Sequence, residues 1–209
     1  MGDVLELVLV TATAELRDME AVRSVLDAAE EYVGVVQQQD AWLRMDEHGG
    51  GLLVRSSALG MHAVVETMRQ DRGPVGLERQ VLTPIDDARC PPAPWDTMEP
   101  LVVVRRGREV WLADNVRLYL DSMPGVGQFF RIEAVVDADH PPDRCREALR
   151  RLLRQAAVPL DALQTSSYGE LALGAVPEPD AGRAAEIERM KAKIELLRPM
   201  GPEGSQGRG

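Results

Sequence analysis

The 209-residue chain is poor in cysteine and lysine, with two of each: Cys90, Cys145, Lys191 and Lys193. Two cysteines exclude a disulfide framework and offer no metal-binding spacing, so a reducing cytoplasm is the expected location. The apolar stretch at residues 5–10 is too short for a signal sequence or a membrane span, and no membrane partner is expected. The chain also lacks a Ser-His-Asp arrangement, a glycine-rich phosphate loop and zinc-ligand spacing, which excludes several common enzyme classes.

The charge and composition indicate one globular domain that does not bind nucleic acid. The formal net charge is −10, which disfavours contact with a phosphate backbone. We assign residues 1–176 to the main domain, with a proline-rich excursion at 84–100, and residues 177–209 to a C-terminal helix and a disordered tail. Apolar residues in the helix predicted at 181–197 repeat at spacings of three and four, so a homo-oligomer is possible.

Residues 101–133 form the most informative stretch, because they read as three consecutive strands with two-residue alternation. Charged side chains occupy positions that would otherwise be plain sheet surface: Arg106, Arg108, Arg117, Asp121, Arg131 and Glu133. These side chains either line a polar tunnel or form the solvated face of an antiparallel sheet. Alternation alone leaves both possibilities open.

Further strands are predicted at residues 4–10, 37–44, 51–55, 61–69 and 77–82, where short apolar or alternating segments are bounded by turn residues. Amphipathic spacing predicts helices at about residues 15–32 and 142–157. The sequence therefore predicts a mainly antiparallel sheet with covering helices.

The order of several short motifs resembles that of the CYTH family, which includes class IV adenylyl cyclases, thiamine triphosphatases and inorganic triphosphatases. The motifs are Arg106-Gly107-Arg108, then Arg117 with Asp121, then residues 127–133 (GQFFRIE). Residues 39–43 (QDAWL) and 167–171 (SYGEL) also match. The resemblance implies an α+β fold: an eight-stranded antiparallel β-barrel, or tunnel, with flanking helices.

The resemblance also implies which residues line the tunnel, and where the chain departs from the family. The matching residues are Glu6, Arg55, Arg69, Arg106, Arg108, Arg117, Asp121 and Glu133. Family proteins carry E-x-E-x-K in the first strand, where this chain has valines such as Val8, and a lysine at the position of Leu53. Arg131 replaces one metal-binding carboxylate, and its guanidinium would compete with a cation for Glu133 and Asp121. We therefore expect no metal cofactor; if one is bound, it is Mg or Mn held by Glu6, Asp121 and Glu133.

Loss of metal and phosphate ligands from an intact scaffold predicts a small-molecule-binding barrel repurposed from triphosphate chemistry. The main hypothesis is a metal-free cyclase or isomerase of specialised metabolism that acts on a largely apolar substrate. Glu6 or Glu133 would act as acid or base, and Arg108 or Arg117 would stabilise negative charge. The expected ligand-binding residues are Val8, Leu53, Arg55, Arg69, Arg106, Asp121 and Arg131. The alternatives are a divergent metal-dependent triphosphatase or adenylyl cyclase, and a non-catalytic ligand-binding protein.

Overall fold

The structure is a computed structural model that describes residues 4–46, 50–59, 62–70, 75–85 and 98–175. These residues form eight strands, three helices and a short 3₁₀ turn at Leu160–Ala162. The strands are β1 (Leu5–Glu15), β2 (Glu31–Met45), β3 (Gly51–Ser57), β4 (His62–Arg69), β5 (Gly76–Pro84), β6 (Val102–Ala113), β7 (Val116–Met123) and β8 (Gly127–Val135). The helices are α1 (Met19–Asp27), α2 (Pro142–Gln155) and α3 (Tyr168–Ala175).

The strands close into an antiparallel barrel in the order β1-β5-β4-β3-β2-β6-β7-β8. Pairing of β1 with β8 and of β2 with β6 joins the two halves, so no strand edge is left unpaired among the described elements. The predicted fold class, an eight-stranded antiparallel barrel with helices outside, is confirmed. In such a barrel alternate residues of each strand point inward, which makes a tunnel wall out of every second side chain.

Helices α1 and α2 cover the outer face of β1 and β8. Their apolar side chains, such as Val22 and Leu149, share one buried cluster with Val10 and Ile132 of the barrel. The helix predicted at 142–157 is confirmed, but α1 is much shorter than the predicted 15–32. Asp18 caps the helix by accepting hydrogen bonds from two backbone N–H groups, and the residues on either side belong to long strands.

Helix α3 packs against inward-facing side chains at one end of the barrel. Tyr168 and Ala172 of α3 share a buried cluster with Trp42, Leu53 and other apolar residues of the inner wall. We call this end the floor and the opposite end, where β2 begins and β6 ends, the mouth. The sequence did not predict α3, although Ser167 and Glu170 form a capping box by bonding each other's backbone N–H.

Several predictions fall outside the described residues. They are most of the proline-rich excursion, at residues 86–97, and the predicted C-terminal helix and tail. In the part of the chain that is described, no helix has the length and apolar character needed to cross a bilayer.

Candidate functional site

The barrel encloses a cavity of about 380 Å³, within the size range of small-molecule sites. Strand alternation directs charged side chains into it, because the inward positions of β3, β4, β6, β7 and β8 carry the predicted arginines and acids. Among the described residues, six arginines and four carboxylates face the interior, an excess of two positive charges. They are Arg55, Arg69, Arg106, Arg108, Arg117, Arg131, Asp40, Glu78, Asp121 and Glu133.

Asp40 on β2 binds two arginines. Arg55 donates to both of its carboxylate oxygens at 2.9 and 3.1 Å, and Arg106 donates to one at 2.7 Å. The side-chain amide of Gln38 donates a further bond at 3.0 Å. Burial alone would raise the pKa of Asp40, but the neighbouring guanidinium groups of Arg106 and Arg55 hold the pKa well below its usual range. Asp40 is therefore a fixed negative charge at neutral pH.

Asp121 on β7 is held in the same way from two sides. Arg108 donates to both carboxylate oxygens at 2.6 and 2.7 Å, and the Tyr168 hydroxyl of α3 donates at 2.6 Å. Burial opposes the charge on Asp121, but Arg108 and the other donors outweigh it and lower the pKa of this carboxyl. Burial and the adjacent Asp121 carboxylate raise the pKa of Tyr168, which keeps its hydroxyl protonated as a donor.

Glu133 on β8 forms a third cluster. Arg131 donates to one of its oxygens at 2.7 Å, the Tyr119 hydroxyl donates to the other at 3.0 Å, and Arg131 also lies 3.5 Å from Glu78. Burial raises the pKa of Glu133, but the positive charges of Arg131 and Arg108 exceed that effect and set the pKa to about 2. A carboxyl with this pKa is a poor general base near neutral pH.

The carboxylates of the inner wall do not form a set of metal ligands. Asp40, Asp121 and Glu133 each already accept charged hydrogen bonds from guanidinium groups. Within the described ranges, no three acidic, histidine or cysteine side chains converge as a metal site requires. Glu6, the third acid of the predicted Mg or Mn set, lies on the outer face. The described residues of the inner wall therefore do not fit a divalent cation.

Hydrogen-bond donors, by contrast, remain available in the cavity. Arg106 is almost fully buried, yet its Nε and Nη1 have no hydrogen-bond partner, and the same is true of Arg69 Nε and Trp42 Nε1. Together with Ser57 Oγ, these are the buried side-chain nitrogen and oxygen atoms that have no hydrogen-bond partner in the described part of the chain. All of them belong to cavity-lining residues. Arg117 also lines the cavity and forms no hydrogen bond or ion pair with any described residue. The cavity thus presents donors without matching acceptors.

The structure brings most of the predicted site residues together. Arg55, Arg69, Arg106, Arg108, Arg117, Arg131, Glu133 and Leu53 line the cavity, and Asp121 is buried in its wall. Glu6 and Val8 are the exceptions. Leu7 and Thr13 of β1 line the cavity, so alternation places Glu6 and Val8 outside, where Arg79 binds Glu6 at 2.6 Å.

Four residues of the polar wall were not assigned a role from sequence. Asp40, Tyr119 and Tyr168 fall within the matched motifs but were not chosen as site residues, and Glu78 had no motif to mark it. Their partners are distant along the chain: Arg106 lies 66 residues after Asp40, and Tyr168 lies 47 residues after Asp121. The signal that was available is the two-residue alternation of the strand. It places Asp40 on the opposite face from Ala41 and on the same face as Trp42.

Known structures share this barrel at low sequence identity. A conserved hypothetical protein from Pyrococcus furiosus superposes with a TM-score of 0.63 and 17% identity over 78% of this chain and 99% of that one. The PH1012 protein from Pyrococcus horikoshii OT3 gives a TM-score of 0.66 and 16% identity over 78% and 98% of the two chains. A protein from Vibrio parahaemolyticus that has been proposed to be an adenylate cyclase superposes with a TM-score of 0.60 and 18% identity, over 78% of this chain and 96% of that one.

No protein-family model matches the sequence, and no curated protein does so either. The structural likeness is therefore a likeness of fold, carried by the eight-stranded barrel. Together, the motif order and these neighbours show that the chain has the CYTH-like barrel fold.

Proposed function

We propose that the barrel binds a small anionic molecule in its cavity without a divalent metal. The observation that carries this proposal is the surplus of donors, because nitrogens of Arg106 and Arg69 that donate no hydrogen bond, and the Arg117 guanidinium, which pairs with no described residue, all line one cavity. An unsatisfied buried donor costs about 1–3 kcal/mol, and the cost is higher for a charged group. A ligand that supplies negatively charged oxygen acceptors would remove this cost.

The charge balance supports the same class of ligand. Two more arginines than carboxylates face the interior among the described residues, although the whole chain carries a net charge of −10. Each inner carboxylate already accepts a hydrogen bond, from an arginine or, for Glu78, from Gln80. A bound cation would have to displace an arginine, whereas an anion would add to the existing network.

Turnover of the ligand, as in the metal-free cyclase or isomerase expected from sequence, is a second and narrower proposal. Arg108 and Arg117 could stabilise negative charge that develops on a substrate. Glu133 is less suited to proton transfer, because its pKa of about 2 keeps it ionised near neutral pH. Ligand binding is therefore the primary proposal.

A thermal-shift titration with pyrophosphate and tripolyphosphate, each in EDTA and in Mn²⁺, tests the proposal. Ligands that bind the native state raise the melting temperature. The proposal expects a rise of equal size in EDTA and in Mn²⁺. A rise that requires Mn²⁺ would overturn metal independence and favour the divergent triphosphatase or adenylyl cyclase. The absence of a rise with either anion would overturn the proposal altogether.

A further inference from the structure

The inner wall changes character from the mouth to the floor. Along β6 the inward residues are Leu112 and Val110 at the mouth, then Arg108 and Arg106, then Val104 at the floor. The neighbouring strand β2 follows the same order. Its inward residues pass from valines at the mouth, through Gln38 and Asp40, to Trp42 at the floor. The cavity is thus apolar at its entrance and charged in its middle.

Five apolar side chains form the entrance, and we call them the collar: Val33, Val36, Leu59, Val110 and Leu112. Two of them are unusually exposed for residues that line a cavity, since Leu59 is 76% exposed and Val33 is 48% exposed. Large apolar side chains that are exposed together at a cavity mouth indicate a binding surface. They lie on the adjacent strands β2 and β6 and, for Leu59, in the turn that follows β3, the other neighbour of β2.

The collar also lies beside Arg117, which has no ion-pair partner among the described residues. Leu112 of the collar pairs in register with Arg117 on β7, and Val110 pairs with Tyr119, whose hydroxyl reaches Glu133 in the polar wall. A ligand that bridges both regions must carry negative charge at one end and hydrocarbon at the other. The two surplus positive charges match a phosphate monoester, which carries about −1.5 to −2 at neutral pH.

We propose that the ligand is an amphiphile, a phosphate monoester of a hydrocarbon chain, with its phosphate at the cavity-lining arginines and its chain against the collar. This inference rests on the proposed anion binding and adds the class of the organic part. A ligand of this kind uses the donors of the cavity-lining arginines, of which Arg117 lies level with the collar, and the exposed side chains at the mouth. Neither inorganic polyphosphate nor a neutral hydrocarbon would use both.

Calorimetric titration of the full chain with methyl, butyl and octyl phosphate in EDTA, below any micelle concentration, tests the inference. Burial of one methylene strengthens binding about fourfold. We expect affinity to rise severalfold with each added methylene until the collar is covered, with a negative heat-capacity change. Equal affinity along the series would overturn the amphiphile and leave anion binding standing. No binding by any member of the series would overturn this inference, whereas anion binding itself falls only if pyrophosphate and tripolyphosphate also fail to bind.

The variants Leu59→Ser and Val103→Ser separate the collar from general surface effects. Val103 is also an exposed apolar residue, but it does not line the cavity. Leu59→Ser should remove several-fold of the octyl phosphate affinity and leave methyl phosphate binding unchanged, whereas Val103→Ser should alter neither. Equal losses in the two variants would overturn the collar assignment. The collar assignment would also be overturned if Leu59→Ser has a native circular dichroism spectrum and binds octyl phosphate with unchanged affinity.

Discussion

Two ion pairs with nearly the same geometry lie on opposite faces of the barrel wall. On the outer face Arg79 binds both oxygens of Glu6 at 2.6 and 2.8 Å, and on the inner face Arg108 binds both oxygens of Asp121 at 2.6 and 2.7 Å. The side chains of the outer pair are 42% and 52% exposed, and those of the inner pair are 10% and 0% exposed. Hydrogen-bond geometry alone therefore does not show whether an ion pair stabilises the fold. The burial of the two side chains and their additional hydrogen-bond partners do show it.

The largest expected effect follows from breaking the inner pair. Asp121→Asn removes the negative charge that Arg108 and the Tyr168 hydroxyl share, and it leaves a buried guanidinium without its counter-charge. Loss of one partner of a buried pair costs about 3–5 kcal/mol of the free energy of unfolding. Urea unfolding followed by circular dichroism measures it. A loss of less than about 1 kcal/mol would mean that water reaches the inner pair as freely as the outer one.

A comparable effect, spread over several carboxyls, is expected from acid. The pKa of Glu133 is lowered from 4.5 to about 2, and those of Asp40 and Asp121 are also lowered, so the folded state binds fewer protons than the unfolded state in this range. The stabilisation is fully present above about pH 4.5 and is lost as the pH falls toward 2. Glu133 alone accounts for about 3 kcal/mol by this linkage.

Urea midpoints at pH 7, 4.5 and 3 measure this acid sensitivity, with Glu133→Gln as the comparison. The wild-type midpoint should fall between pH 4.5 and 3, and the variant should start lower and fall less steeply, because one of the responsible carboxyls is gone. A wild-type midpoint that is constant across this interval would contradict the linkage.

The smallest effect is expected on the outer face. Glu6→Gln breaks the pair with Arg79, but solvent screens both charges and can hydrate Arg79 once it is unpaired. The urea midpoint of this variant should stay within error of the wild type at 150 mM and at 1 M salt. A loss comparable to that of Asp121→Asn would mean that the two faces are energetically equivalent and that the contrast between them is wrong.

Strand alternation in residues 101–133 predicted the strands and their charged face, and the resemblance of the motif order to the CYTH family predicted the barrel and most of its polar wall. The faces of β1 were not predictable in this way. Residues 4–10 of this segment (VLELVLV) put apolar side chains on both faces of the strand. The pattern therefore does not show whether Glu6 faces the inside or the outside of the barrel. Register is set by residues farther along the strand, where Thr11 pairs with Glu133 and Thr13 with Arg131.

The sequence also did not show which residues pair with the charged side chains of the inner wall. Arg106 and Asp40 meet only because β2 and β6 pair across the closure of the barrel, a contact between residues far apart along the chain. The hydrogen bond from α3 to the inner wall could not be predicted for a similar reason. Tyr168 reaches Asp121 because Gly169 lets the helix approach Trp42 closely, where an added Cβ would lie 3.0 Å from the ring. Such contacts depend on the folded barrel rather than on any local pattern.

The most direct test of metal-independent anion binding is calorimetric titration of pyrophosphate in EDTA into the wild type, Arg117→Gln and Arg105→Gln. Arg117 faces the cavity and pairs with none of the residues that the structure describes, whereas Arg105 is an exposed arginine bonded to Gln39 and does not line the cavity. A charged hydrogen bond contributes about 1.5–3 kcal/mol, so Arg117→Gln should weaken binding roughly tenfold or more, and Arg105→Gln should leave it unchanged. Equal affinities in all three proteins, or equal losses in both variants, would contradict binding inside the barrel.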